Sequence, residues 1–167
     1  GQLEFLKIIE SFKADPIIFY FVGDNKNKSY EKKLIKEINI KNLNNNCRIL
    51  GHLEKNELKM MYQCADIIIS APLRPEGFGR IISEALSMKK IILAYNFGGA
   101  TDQLKDLDDL YRVKPQDHDE MKFRISAFLK LESDKVLSMG DMARKHVIKK
   151  FSKDGMLNSY LSFYQEL

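Results

Sequence analysis

Apolar residues recur along this chain in two rhythms. Leu3, Leu6, Ile9 and Phe12 fall on one helical face, so residues 2–13 read as an amphipathic helix. Pro16 ends it, and the next run, IIFYFV (17–22), is apolar throughout, as in a strand buried on both faces. Gly23, Asp24 and Asn25 turn the chain. The alternation then repeats, with a helix over 29–38, a loop over 42–46, a short strand over 47–50, a turn at Gly51 and His52, and a helix over 54–64. DIIIS (66–70) is the strongest strand. It leads into the loop APLRPEGFG, a helix over about 78–88, a buried strand over 91–94, the loop YNFGG (95–99) and a short helix near 100–105. Residues 110–113 read as a short edge strand, and helices over about 118–131, 134–150 and 153–166 close the chain.

Short apolar strands separated by helices predict an α/β fold: a Rossmann-like three-layer domain, its parallel sheet covered by helices on both faces. No repeat or low-complexity linker divides the chain, so residues 1–167 read as a single domain. Ligands of such sheets bind beyond the carboxyl ends of the strands. That rule selects the loops 23–28, 51–54, 71–78 and 95–99.

Composition narrows the function classes. No apolar run approaches the ~18–20 residues that span a bilayer, and no signal peptide is visible at the start. A cytoplasmic location follows, and the mild net charge of +4 leaves a peripheral membrane contact open. Cys47 and Cys64 are too few for a disulfide framework and read as buried free thiols. His52, His118 and His146 are scattered without ligand spacing, so no metal site is expected. The basic residues lie on helices without aromatic interleaving, which argues against nucleic acid. The start lacks a methionine, and the chain reads as a cut from something longer.

The chemistry concentrates in Arg74-Pro75-Glu76-Gly77-Phe78-Gly79-Arg80-Ile81-Ile82-Ser83-Glu84-Ala85. Glu76 precedes a helix and Glu84 lies in its second turn. Gly77 and Gly79 leave the backbone uncovered between them. A helix start offers unsatisfied N–H groups and a partial positive charge, and glycines let phosphate oxygens approach them. A carboxylate deeper in the helix, such as Glu84, can accept hydrogen bonds from ribose hydroxyls. Glu76 is placed to reach a sugar beyond the phosphates. Two glutamates at this spacing are common by chance. The whole arrangement of buried strand, proline turn, Glu-Gly-Phe-Gly, helix and a second strand ending at Gly98-Gly99 gives them weight.

This stretch resembles the C-terminal, donor-binding domain of the group 1 glycosyltransferases (glycosyltransferase family 4), which have the two-domain GT-B fold. Glu76 and Glu84 fit the family's Glu-x7-Glu motif. FYFVGD (19–24), ILGHLEKNELKMMYQCADIIISAP (49–72) and FSKDGMLNSYLSFYQEL (151–167) resemble further family segments. The resemblance implies retaining glycosyl transfer from a nucleotide-diphosphate sugar to a glycan, lipopolysaccharide or lipid acceptor, without a cofactor or metal. Glu76 would be catalytic, touching the donor sugar. Backbone N–H groups of Gly77, Phe78, Gly79, Arg80 and Ile81 would meet the sugar and diphosphate, and Glu84 would hold the ribose. Gly51, His52 and Leu53 would meet the base, Gly23 would border the nucleotide, and Gly98 and Gly99 would line the cleft. The acceptor would bind an N-terminal domain that this chain does not include, so the chain alone is expected to be inactive in transfer.

Three departures stand out. Lys89 and Ile91 replace a family Gly and Pro, which predicts a less strained turn. Asp102 stands where a Glu is common. The family's first strand of this domain, carrying an Arg and a Lys that neutralise the diphosphate, is missing, which predicts a raw sheet edge. A nucleotide-sugar epimerase of the same architecture and a non-catalytic nucleotide-binding domain are alternatives.

Overall fold

The computed structural model describes residues 1–24 and 26–165. Among these residues eight helices and five strands follow one another, alternating as far as α6: α1 (Gln2–Glu10), β1 (Phe19–Val22), α2 (Lys28–Ile40), β2 (Cys47–Gly51), α3 (Lys55–Cys64), β3 (Ile67–Ser70), α4 (Arg80–Ser87), β4 (Ile91–Tyr95), α5 (Gly99–Leu104), β5 (Arg112–Val113), α6 (His118–Phe128), α7 (Ser133–Phe151) and α8 (Lys153–Gln165). A single 3-10 turn, Asp109–Tyr111, precedes β5. The fold is the Rossmann-like α/β class that the alternation predicts. Several ends shift: residues 11–13 leave α1, α4 begins after Gly79, and β5 shrinks to two residues. Asn25 of the predicted turn and residue 166 of the predicted last helix lie outside the described residues.

Every strand pair is parallel, but the sheet is in two pieces. β1 pairs with β2, and β3, β4 and β5 pair in that order. Among the described residues β1 and β3 each keep one unpaired edge. Helix α1 lies across both pieces. Its start touches the end of β3, since a Cβ on Gly1 would sit 2.0 Å from the Ala71 carbonyl oxygen. Farther along, Phe5 and Phe12 pack on Phe19 of β1, with ring centroids 5.9 and 6.3 Å apart. Asn46, just before β2, donates to the carbonyls of Phe12 and Ile17. The carboxyl end of β3 is thus at the start of α1, and the amino ends of β1 and β2 are at its finish. The first turn of α2, which follows β1, meets the start of α1, where the Tyr30 hydroxyl accepts from Leu3 N and donates to Gln2 Oε1. The two pieces therefore point the same way and share one carboxyl rim.

The core is centred on β4, whose five residues are all buried, from Ile91 to Tyr95. β1 differs from the strand buried on both faces expected of IIFYFV, and β3 from the buried strand expected of DIIIS. All of β3 is half-buried, Tyr20 of β1 is 50% exposed, and residues 17 and 18 fall outside the strand. Each has a neighbour on only one edge, so solvent reaches it from the other. Cys47 is buried as expected, and burial pushes its thiol up to about 11. Cys64, by contrast, ends α3 in solvent.

The α4–β4 turn also departs from expectation. Lys89 takes a left-handed φ of 61°, so the turn is strained by a side chain where glycine would be free. Gly140 of α7 packs against it, and a Cβ there would come within 2.3 Å of the Lys89 carbonyl oxygen. No residue of α8 is buried among those described. Met156, Tyr160 and Leu161 leave an apolar face exposed.

Candidate donor site

The turn between β3 and α4 is assembled from glycines that each answer a different need. Gly79 caps α4 at φ 76° and ψ 69°, a left-handed conformation that a Cβ would disfavour. Gly98, which caps α5, and Gly99, its first residue, lie beneath the turn. A Cβ on Gly98 would stand 2.5 Å from the Glu76 carbonyl oxygen, and one on Gly99 would stand 2.4 Å from that of Gly77. Gly99 N–H donates to the Glu76 carbonyl at 2.9 Å. These two glycines, expected to line the cleft, are placed as the floor of the turn by backbone-to-backbone contact.

The upper side of the turn is open. A Cβ on Gly77 would meet nothing within 4 Å. Among the described residues the backbone N–H groups of Gly77, Phe78 and Gly79 donate to no carbonyl and no side chain. They lead directly into the first turn of α4, whose own early N–H groups, those of Arg80 and Ile81, lie at the positive end of the helix. Phe78 is 44% exposed and meets Phe151 edge-on, with centroids 6.0 Å apart.

The two carboxylates flank this turn differently. Glu76 is exposed, and its Oε2 lies 3.3 Å from where a Gly79 Cβ would be. It lines a narrow crevice with Ser70, Pro72, Ile82 and Phe97. Glu84, one turn into α4, is held at both oxygens. The Tyr62 hydroxyl donates to Oε2 at 3.0 Å, and Arg80 donates to Oε1 at 3.1 Å. Burial, and then the negative charge of Glu84, raise the Tyr62 phenol well above its ordinary range, so it remains a donor. Each carboxylate oxygen has a second lone pair, so Glu84 keeps capacity for a ligand while its orientation is fixed.

The predicted nucleotide loops converge in part. Gly23 N–H donates to the Gly51 carbonyl at 2.9 Å, and Gly51 turns the chain at φ 71°. His52 is exposed and lies 3.5 Å from Glu54, while Leu53 is half-buried. Among the described residues no hydrogen bond joins these loops to the 76–84 turn directly. The link runs through α3, started by the Glu54–Glu57 capping box and tied to α4 by Tyr62 and Glu84. Asp102 is exposed and paired with Lys105. No group of three His, Cys, Asp or Glu side chains is arranged to hold a metal ion among the described residues.

Two residues of the site were not singled out by sequence. Tyr62 carried no local signal, because its partner lies 22 positions away. Gln103 did carry one: it shares the buried face of α5 with Ala100 and Leu104, an unusual place for an amide.

Comparison with known proteins gives the family and the fold. The family model "Glycosyl transferases group 1" matches residues 1–146. The chain is similar to a glycosyltransferase from Rickettsia africae ESF-5, with 29% identity and a TM-score of 0.91 over 99% of this chain and 44% of that one. Anabaena Alr3699/HepE, solved in complex with UDP and glucose, shares the fold at 20% identity and a TM-score of 0.87, over 100% of this chain and 45% of that one. The C-terminal domain of a glycosyl transferase group 1 family protein (LpcC) from Francisella tularensis shares it at 21% identity and a TM-score of 0.76, over 92% of this chain and 80% of that domain. The chain thus spans less than half the length of the Rickettsia and Anabaena chains. No curated protein matches it.

Proposed function

The chain belongs to the group 1 glycosyltransferases, and from that membership we propose that it is the donor half of a retaining enzyme that transfers a hexosyl unit from a nucleotide-diphosphate sugar. The observation that carries the proposal is the row of unpartnered N–H groups at Gly77, Phe78 and Gly79 beside Glu76, with Glu84 already oriented by Tyr62 and Arg80. When the bond between the anomeric carbon and the diphosphate breaks, positive charge develops on the sugar ring and negative charge on the leaving oxygens. Fixed N–H groups aimed at those oxygens stabilise the second without reorganising. Glu76 supports the ring from the sugar side. The departing diphosphate takes the acceptor's proton, and attack from the same face retains the anomeric configuration.

The split sheet suggests what completes the domain. A strand from an upstream segment, pairing with the free edges of β1 and β3, would join the pieces as one sheet and deliver its end to Gly1 at the rim. The remainder of the whole protein would hold a glycan, lipopolysaccharide or lipid acceptor across the cleft and cover the apolar face of α8. Both half-sites are needed for transfer, so this chain alone binds donor without turnover. A cytoplasmic or membrane-peripheral setting suits such an enzyme. No helix among the described residues is long and apolar enough to cross a membrane.

Substituting Glu84→Ala tests the reading. It should weaken nucleotide binding by about 1–3 kcal/mol through loss of charged hydrogen bonds to the ribose, as measured by calorimetry with UDP, GDP and ADP. Unchanged affinity would remove Glu84 from the site.

A further inference from the structure

Gln103 is fully buried on α5, and its side-chain nitrogen donates to the Phe78 carbonyl and, at 3.4 Å, to the Gly79 carbonyl. Both partners are acceptors, which fixes the amide with its nitrogen toward the turn. In a trans peptide the carbonyl and the following N–H point in opposite directions. Drawing the Phe78 and Gly79 carbonyls inward therefore turns the N–H groups of Gly79 and Arg80 outward. The Gly99 N–H does the same for the peptide between Glu76 and Gly77. Helix α5 is itself anchored to α7, where His146 Nε2 donates to the Gln103 backbone carbonyl at 2.8 Å.

We infer that Gln103 is a positioning residue for the diphosphate: from beneath the Glu-Gly-Phe-Gly turn it holds the Phe78–Gly79 peptide plane and, together with the Ile82 N–H of α4, the Gly79–Arg80 plane, so that their N–H groups face the phosphates. The inference rests on the donor-site reading, and it adds a residue that touches no ligand. A free turn of this composition would sample many peptide orientations, because glycines at 77 and 79 restrict it little. One buried amide that bonds the Phe78 carbonyl, and reaches the Gly79 carbonyl that Ile82 N–H also holds at 3.0 Å, removes that freedom before the donor arrives. The clamp acts on the phosphates alone, since base and ribose contacts lie elsewhere.

The test uses Gln103→Met in the full-length protein. This variant keeps the side chain's length and removes the donor, and the oxygen it also removes has no partner among the described residues. Binding is followed by NMR with UDP, GDP and ADP, and with uridine, guanosine and adenosine. For the diphosphate that the wild type binds, Q103M should bind about tenfold more weakly, the loss expected for buried hydrogen bonds. The parent nucleoside should bind both proteins equally. The Gly79 and Arg80 amide signals should move while those of β4 stay. Equal diphosphate affinity in the two proteins overturns the clamp and leaves the donor site standing, and so does equal weakening of nucleoside and diphosphate. Failure of the wild type with all three diphosphates overturns the donor-site reading and the clamp with it. Should Q103M fail to fold, the wild type decides the matter. Scalar coupling from the Gln103 side-chain nitrogen to the Phe78 carbonyl carbon supports the clamp, and a side-chain amide in free exchange with water overturns it.

Discussion

β1 and β4 begin as similar runs of apolar residues and finish in different surroundings. β4 has a strand on each side, α4, α6 and α7 packed against it, and no residue more than 3% exposed. β1 has one partner strand and α1 above it, and Tyr20 at its centre is half exposed. The difference lies in the neighbours and not in the strands' own composition. It divides the molecule into a more complete half, β3 to β5 with α4, α5 and α7, in which β3, like β1, keeps one edge unpaired among the described residues, and an unfinished half, β1 and β2. The more complete half holds the Glu-Gly-Phe-Gly turn, its glycine floor and Gln103. The unfinished half holds the Gly23 and Gly51 loops expected to meet the nucleotide. The turn proposed to receive the phosphates can stand on the first without waiting for the second.

Core truncations probe that division most strongly. Leu93→Ala in β4 should cost about 3 kcal/mol by urea denaturation, as expected for emptying a packed site. Tyr20→Ala in β1 should cost less than about 1 kcal/mol, because half of that side chain is already in water. Equal costs would erase the distinction between the halves. Adding the upstream segment should raise the cost at Tyr20 and leave that at Leu93 unchanged.

A smaller effect sharpens the picture of the more complete half, which is well packed but not free of strain. Lys89 stands at φ 61° against the backbone of Gly140's helix turn. Lys89→Gly should stabilise the domain by about 1 kcal/mol, since glycine adopts that conformation without a Cβ penalty. The exposed ion pair to Asp141 lost in the exchange contributes little. Loss of stability in thermal melts would mean that the pair, and not the backbone, dominates at this turn.

Much of this was legible in the chain. Helical spacing at Leu3, Leu6, Ile9 and Phe12 placed α1, and the alternation of strand and helix placed the fold class. The Glu76–Glu84 segment marked the turn, because glycines beside a helix start announce exposed N–H groups locally. Burial was less legible. IIFYFV has the composition of a central strand, but whether a strand is covered depends on what pairs with its edges, and that information is not in its own residues. Lys89 misled for a related reason. A lysine in place of glycine suggests a relaxed turn only if the backbone is free to relax, and here Gly140 packs against it from a distant helix. Tyr62 and Gln103 act through long-range contacts, and only Gln103 left a local trace, an amide on an otherwise apolar face.

On the proposed function, the N–H groups of this turn receive the diphosphate of a sugar nucleotide. An NMR titration of the protein, with the upstream strand present, against UDP, GDP and ADP at millimolar concentration tests it most directly. The amides from Gly77 to Glu84 should shift first and furthest with at least one nucleotide, and those of β5 and α6 should stay in place. Unmoved signals across Gly77–Glu84 with all three would contradict it.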